Sequence, residues 1–177
     1  MGFLRVYKMS NIFIFDLDET CISSSHRTPS FPDGTLNLPE YRKNATPENI
    51  AKDTLLPLAA TLQKLISEKS QVIILTARDM SAADYFYLGR HGLATEQTLI
   101  CSRDKALSKA HYNSGDGLYK AAWIEFLRKN HGLELHHVIM FDDAKPVKST
   151  LRAMGLTVLC GHKVNKRLSR KLKNGNL

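Results

Sequence analysis

Four carboxylates carry the strongest chemical signal in this chain, and each pair follows a short apolar run. Asp16 and Asp18 stand one residue apart in Asp16-Leu17-Asp18-Glu19-Thr20, after the run 11–15; Asp142 and Asp143 follow the run 137–141. If the runs are strands, the backbone turn splits the first pair into two roles: a carboxylate nucleophile, and a general acid that protonates a leaving oxygen. Four carboxylates in one crevice repel one another unless a cation joins them, and a hard Mg²⁺ with oxygen ligands meets that need. The chemistry such a set can run is phosphoryl transfer. Thr76, after the run 71–75, and Lys120, in the first turn of a helical stretch, offer a hydroxyl and an ammonium to the remaining phosphate oxygens. Two arginines occupy comparable places, Arg78 in Thr76-Ala77-Arg78 and Arg103 in Ser102-Arg103-Asp104, after the run 98–101. Their planar donor forks suit phosphate oxygens, and the plainer reading is a solvated arginine paired with Asp79 or Asp104. One Asp after a strand is ordinarily a turn former or a helix cap; several polar strand ends together argue for a site.

These residues need a scaffold that delivers several strand ends to one crevice. Five apolar runs, 11–15, 71–75, 98–101, 137–141 and 156–160, alternate with helical patterns. This predicts an α/β fold, a doubly wound, Rossmann-like parallel sheet of about five strands with helices on both faces. Ligands of such sheets lie beyond the carboxyl ends of the strands. A first long helix starts at Thr46 and Pro47 and carries Leu55, Leu58, Leu62, Leu65 and Ile66 on one face, with a kink or interruption at Pro57. A second opens on a Ser81/Asp84 capping box, presents Tyr85, Phe86 and Leu88, and ends near Gly92. A third, 117–130, presents Leu118, Ala121, Ala122, Ile124, Phe126 and Leu127 and stops at Gly132; a fourth covers 147–154 and a last one 163–173. Pro29, Pro32, Gly34 and Pro39 break any period in 23–45, where a small flap or hairpin is expected. The expected division is a catalytic domain at 1–162, with its flap at 21–45, and a basic helix or tail at 163–177.

The ordered set Asp16-x-Asp18-x-Thr20, Thr76, Lys120 and Asp142-Asp143 resembles the four motifs of the haloacid dehalogenase (HAD) superfamily of aspartate-nucleophile phosphatases, over nearly the whole chain. The resemblance implies that Asp16 forms an aspartyl-phosphate while Asp18 acts as acid and then base. It also implies that Asp16, the Asp18 main-chain carbonyl and Asp142 bind Mg²⁺, with Asp143 in support. A closer likeness is to the 3′-phosphatase domain of phage-type polynucleotide kinase/phosphatase. Its motifs Ser-Gly-Arg and Cys-Gln-Arg-Glu stand against Thr76-Ala77-Arg78 and Cys101-Ser102-Arg103-Asp104 here. These likenesses place Thr20, Arg78 and Arg103 on the substrate side. They imply a Mg²⁺-dependent phosphomonoesterase of nucleic-acid ends, 3′-phosphates first. The alternatives are a 5′-nucleotidase or small-molecule acid phosphatase, and a non-catalytic module that grips phosphorylated ends. No G-x-x-x-x-G-K-[ST] loop occurs, so kinase activity is not expected. Glu19 departs from the glycine many relatives carry; it reads as a turn residue whose backbone matters more than its side chain.

Composition bounds the remaining choices. The chain has 177 residues, 43% of them hydrophobic, and a net charge of +8, enough for one core and too little charge for wholesale disorder. The excess sits at the ends: Lys163, Lys166, Arg167, Arg170, Lys171 and Lys173 face no acid in 161–177, Arg5 and Lys8 add two more, and the body between is neutral. Val164, Leu168 and Leu172 make a narrow apolar stripe on that basic segment, which either docks on the body and offers its cations to phosphate or frays. Cys21, Cys101 and Cys160 lack the number and spacing of a disulfide framework or zinc knuckle, and His136 and His137 would point to opposite faces of a strand. No apolar stretch approaches a membrane span and residues 1–6 show no export or myristoylation signal, so a cytoplasmic protein without membrane attachment is expected. Neither gap between the motifs has room for a large cap domain, which predicts an open crevice. Lys105, Lys109, His111 and Tyr112 lie in a segment, 105–116, that either touches a polynucleotide or is simply a solvated loop.

Overall fold

A computed structural model describes residues 11–33 and 35–174. In chain order the strands are β1 (Ile12–Phe15), β2 (Ile22–Ser23), β3 (Thr54–Leu55), β4 (Val72–Leu75), β5 (Leu99–Cys101), β6 (Val138–Asp142) and β7 (Thr157–Cys160). The helices are α1 (Leu38–Asn44), α2 (Pro47–Ile50), α3 (Pro57–Ser67), α4 (Ala82–Arg90), α5 (Lys109–Tyr112), α6 (Asp116–His131), α7 (Lys145–Ala153) and α8 (Gly161–Lys173). All five apolar runs form strands of one parallel sheet, ordered β5-β4-β1-β6-β7. The chain winds outward from β1 in both directions, and the carboxyl ends of β1 and its neighbours β4 and β6 flank the place where the winding reverses.

Side-chain alternation along the central strand explains why helices cover both faces. Ile12 and Ile14 join a core with Tyr119, Trp123 and Ile124 of α6 and Val147 and Leu151 of α7. Phe15 joins the opposite core with Leu58 and Leu62 of α3 and Tyr87 and Leu88 of α4, and its ring stacks on Phe141 of β6 at 4.8 Å. Val164 and Leu168 of α8 pack against that second core.

Several local expectations change in the folded chain. Pro57 interrupts the first long helix outright: Leu56 is extended, as a residue before proline prefers, and Thr54–Leu55 instead pair antiparallel with Ile22–Ser23 at the base of the flap. Phe86 and Leu118 are exposed, because the sheet takes up the neighbouring faces that carry Tyr87, Leu88, Tyr119 and Trp123. Segment 105–116 contains α5, pinned by a buried His111 whose Nδ1 accepts from the Leu107 N–H at 2.9 Å while Nε2 donates to the Tyr119 carbonyl at 2.8 Å. His111 is therefore a structural pin and not a nucleic-acid contact. Helix α8 is bound to the body by buried Asn165, which accepts from the Leu58 N–H at 2.7 Å and donates to the Thr20 carbonyl at 2.9 Å; Leu172, at the end of its stripe, is exposed. His136 and His137 lie in a 3₁₀ turn, not a strand, and both Nε2 atoms approach the Glu134 carboxylate at 3.5 Å. No helix among the described residues is long and apolar enough to cross a membrane.

Candidate active site

The turn after β1 separates Asp16 from Asp18. The Leu17 carbonyl accepts the N–H groups of Thr20, Cys21 and Ile22 at 3.2, 2.9 and 2.9 Å, which folds the chain back at once. Glu19 takes φ 54°, the left-handed region that glycine occupies most easily, so its backbone is what the turn requires. Its carboxylate adds something a glycine lacks, accepting from the Ser24 N–H at 3.1 Å at the start of the flap. The Asp16 N–H donates to the Phe141 carbonyl at 3.0 Å and ties the ends of β1 and β6 together.

Asp16, Lys120 and Asp142 form the floor of the site. Lys120 Nζ lies 2.7 Å from Asp16 Oδ1 and 2.7 Å from Asp142 Oδ2, and all three side chains are buried. Asp142 Oδ1 also accepts the Ala144 N–H at 2.9 Å. Burial, with Asp142 and Asp18 adding to it, pushes the Asp16 carboxyl well above the usual carboxylate range, against the pull of Lys120. Burial would lower the Lys120 ammonium, but the two carboxylates outweigh it and raise it. Asp143 is raised by burial and by Asp142. Oxygens of Asp16, Asp142 and Asp143 all lie within 4.8 Å of one another. Such an all-oxygen, carboxylate-rich set fits Mg²⁺ and not a softer ion.

Asp18 faces the other way, toward Arg78. Arg78 Nε and Nη2 donate to its two oxygens at 3.1 and 2.5 Å, and Ser24 Oγ donates at 2.7 Å. Burial alone would raise the Asp18 carboxyl; the guanidinium and these hydrogen bonds override it and hold it at about 2. Arg78 Nη1 donates to Asp84 at 2.7 Å and lies 3.5 Å from Asp53, which in turn receives Arg27 Nε and Nη2 at 2.8 Å each. Arg78 thus meets Asp18, Asp84 and Asp53, and neither it nor Arg103 pairs with Asp79 or Asp104 as the solvated reading had it.

The remaining candidates occupy distinct places. Thr76 is fully buried and its hydroxyl oxygen accepts the Arg78 N–H at 3.1 Å. Thr20, expected on the substrate side, is instead fully buried beneath the turn. A side chain at Gly161 would put its Cβ 2.8 Å from Thr20 Oγ1, so glycine there permits the close approach of α8. Arg103 lines the crevice, but its donors go to the Ala77, Tyr112 and Ser114 carbonyls and to Asp116, so it binds segment 105–116 to the end of β4. Arg27, Asp53 and Arg42 carried no local signal, because Arg27 and its carboxylate partner Asp53 lie 26 residues apart and Arg42 and Tyr112 lie 70 apart. Asp84 was legible only as the capping residue it also is.

Asp16, Asp18, Arg78, Lys120 and Asp143 line a crevice of about 700 Å³ together with Leu36, Leu38, Tyr41, Arg42 and Tyr112. Among the described residues no separate cap domain covers it, and flap residue Arg42 reaches Tyr112 over it at 3.3 Å. Segment 105–116 contributes to this contact through the short helix α5, which ends at Tyr112. Among the described residues, none of α8 lines the crevice.

Solved structures with the same fold include a HAD-like family hydrolase from Streptococcus pneumoniae (18% identical, TM-score 0.62, covering 85% of this chain and 84% of that one). Another is a HAD-superfamily hydrolase of subfamily IA from Geobacter sulfurreducens (10%, TM-score 0.57, covering 86% and 89%). A curated 5′-deoxynucleotidase of Escherichia phage T5 is 34% identical over 176 aligned residues, spanning 91% of this chain and 71% of that protein. The family model described as bacteriophage T5 5′-deoxynucleotidase matches residues 4–176. The sheet is HAD-like and its site centres on aspartates, and this match over nearly the full length shows that the chain belongs to the bacteriophage T5 5′-deoxynucleotidase family.

Proposed function

We propose that the protein hydrolyses the 5′-phosphate of deoxynucleoside monophosphates through an aspartyl-phosphate on Asp16. The observation that carries the reaction is the buried Asp16–Lys120–Asp142 cluster at the floor of the crevice. The relative's activity supports the nucleotide substrate over the polynucleotide 3′-end, as does the occupation of Arg103 by internal partners.

In this reading an Asp16 oxygen attacks phosphorus, the bond from phosphorus to the 5′ oxygen breaks, and Asp18 gives that oxygen a proton. Water then attacks the aspartyl-phosphate, Asp18 takes a proton back, and inorganic phosphate leaves. Lys120 offsets the charge of Asp16 and Asp142 as the dianionic phosphate arrives. Mg²⁺, held by Asp16, Asp142 and the Asp18 main-chain carbonyl with Asp143 in support, would supply charge neutralisation at the phosphate oxygens. Asp18 is ionised while Arg78 grips it, so proton donation requires that pair to open. The substrate phosphate competes for the same guanidinium fork, which couples binding to release of Asp18.

The test is phosphate release with Mg²⁺ from 5′-deoxynucleotides, 5′-ribonucleotides, 3′-deoxynucleotides, 3′- and 5′-phosphorylated oligonucleotides and a sugar phosphate. The highest kcat/KM is expected on a 5′-deoxynucleotide. A 3′-phosphorylated oligonucleotide that outperforms it would restore the polynucleotide reading.

A further inference from the structure

The mouth of the crevice is bridged by three side chains from three separate segments. Arg42 comes from α1 in the flap, Asp79 from the turn after β4, and Tyr112 from the end of α5. The Tyr112 hydroxyl donates to Asp79 Oδ2 at 2.7 Å and accepts from Arg42 Nη2 at 3.3 Å, while Arg42 lies 3.9 Å from the same Asp79 oxygen. All three line the crevice that holds Asp16, Asp18 and Lys120. They stand on its solvent side: the Arg42 and Asp79 side chains are 53% and 39% exposed, against 8% for Asp16 and 3% for Lys120.

Each end of the bridge is anchored independently. Arg103 fastens the Tyr112 end, donating to the Tyr112 and Ser114 carbonyls and, at 2.9 Å, to the Ala77 carbonyl beside Asp79. On the flap side, Tyr41 lies against the Arg27 guanidinium at 5.6 Å, and Arg27 is locked to buried Asp53. Between two firm ends, the closure itself consists of a few partly exposed polar contacts, the kind that open at little cost.

We propose that Arg42, Tyr112 and Asp79 form a size gate that confines the site to mononucleotides and excludes the 5′-phosphate ends of polynucleotides. The proposal rests on the nucleotidase reading and deepens it. A crevice of about 700 Å³ is in the size range that encloses one small ligand. With the phosphate on the floor, the nucleoside extends toward the solvent side, where the exposed Leu36 and Leu38 offer an apolar face to the base. A mononucleotide lets the bridge reclose over it. A second nucleotide attached through the 3′ oxygen has to leave between flap and α5, through the space the bridge occupies, and so holds it open.

The experiment compares kcat/KM on a 5′-deoxynucleotide and on a 5′-phosphorylated dinucleotide and octanucleotide, with Mg²⁺, for the wild type, Arg42→Ala and Tyr112→Phe. Tyr112→Phe keeps the ring and removes both hydroxyl contacts. The expected result is a wild type that favours the mononucleotide, and an oligonucleotide-to-mononucleotide ratio that rises about fivefold or more in both variants. A ratio unchanged in both variants, or a wild type that favours the oligonucleotides, overturns the gate. Failure of the nucleotidase reading would show separately, as a 5′-deoxynucleotide being no better a substrate than the sugar phosphate.

Discussion

The floor and the mouth of the crevice are built by opposite means. The floor joins the ends of β1 and β6 to α6 through buried charges, Lys120 lying between Asp16 and Asp142 at 2.7 Å from each. The mouth joins α1, α5 and the turn after β4 through partly exposed polar side chains. Buried charges have no water to fall back on, so loss of one partner is severe; exposed contacts are screened and yield readily. On the proposed reading the difference is a division of labour: strand ends packed between two cores hold the reacting groups, and short peripheral helices and a turn hold the groups that select what reaches them.

The largest effect belongs at the floor. Asp16→Asn should cut kcat by roughly ten-thousand-fold or more, while Tm moves by no more than about 3 °C, since Lys120 keeps Asp142 as its partner and burial and acidic neighbours already disfavour the charge being removed. Phosphate release and thermal unfolding check both parts, and retained turnover would remove Asp16 as nucleophile. Lys120→Met leaves Asp16 and Asp142 without their shared cation. The expected loss is about 3 kcal/mol, read as a drop in Tm of roughly 10 °C, with Mg²⁺ raising Tm more in the variant than in the wild type. An equal rise in both would separate the metal from the lysine's carboxylates and blur the contrast drawn above.

Asp18 stands between the two regions and should behave accordingly. Its carboxyl is held at about 2 against an ordinary 3.8, so its contribution to stability is full above the ordinary value and is lost as pH falls through about 2. With the side chain 34% exposed, solvent screening limits that contribution to about 1 kcal/mol. Urea unfolding between pH 5 and pH 2 should show the decline in the wild type and a flatter limb in Asp18→Asn; identical limbs would mean that Arg78 does not hold Asp18 in solution. The smallest effect is expected outside both regions. Lys166→Glu and Arg170→Glu, on the exposed face of α8, should change kcat/KM on a 5′-deoxynucleotide by less than about twofold even at low salt. A larger change would bring the basic helix back into substrate binding.

Much of this was legible before any coordinates. The five apolar runs became the five parallel strands, and the Ser81/Asp84 capping box opened α4 as its spacing predicted. Asp16, Lys120 and Asp142, which lie more than a hundred residues apart at their extremes, met at one point because each follows from its place on a strand end or helix start. The present partners of the arginines were not legible. Arg78 and Arg103 were expected to turn toward phosphate or to pair with neighbouring acids; in the structure Arg78 grips Asp18 and Arg103 binds backbone carbonyls of segment 105–116. Thr20 matched its motif by position but turned under the chain, against Gly161.

The amino-acid sequence by itself determined the strands, the order of the carboxylates along them and hence the reaction class, because strand periodicity and the residues at strand ends are local properties. Only the tertiary structure decided where the arginines point, that α8 is fastened to the body by Asn165, and that the flap meets α5 over the crevice through Arg42 and Tyr112. A long polar side chain has several partners within reach, and the choice among them is made by what the fold brings near and by which charges burial leaves uncompensated. Neither is encoded in residue spacing.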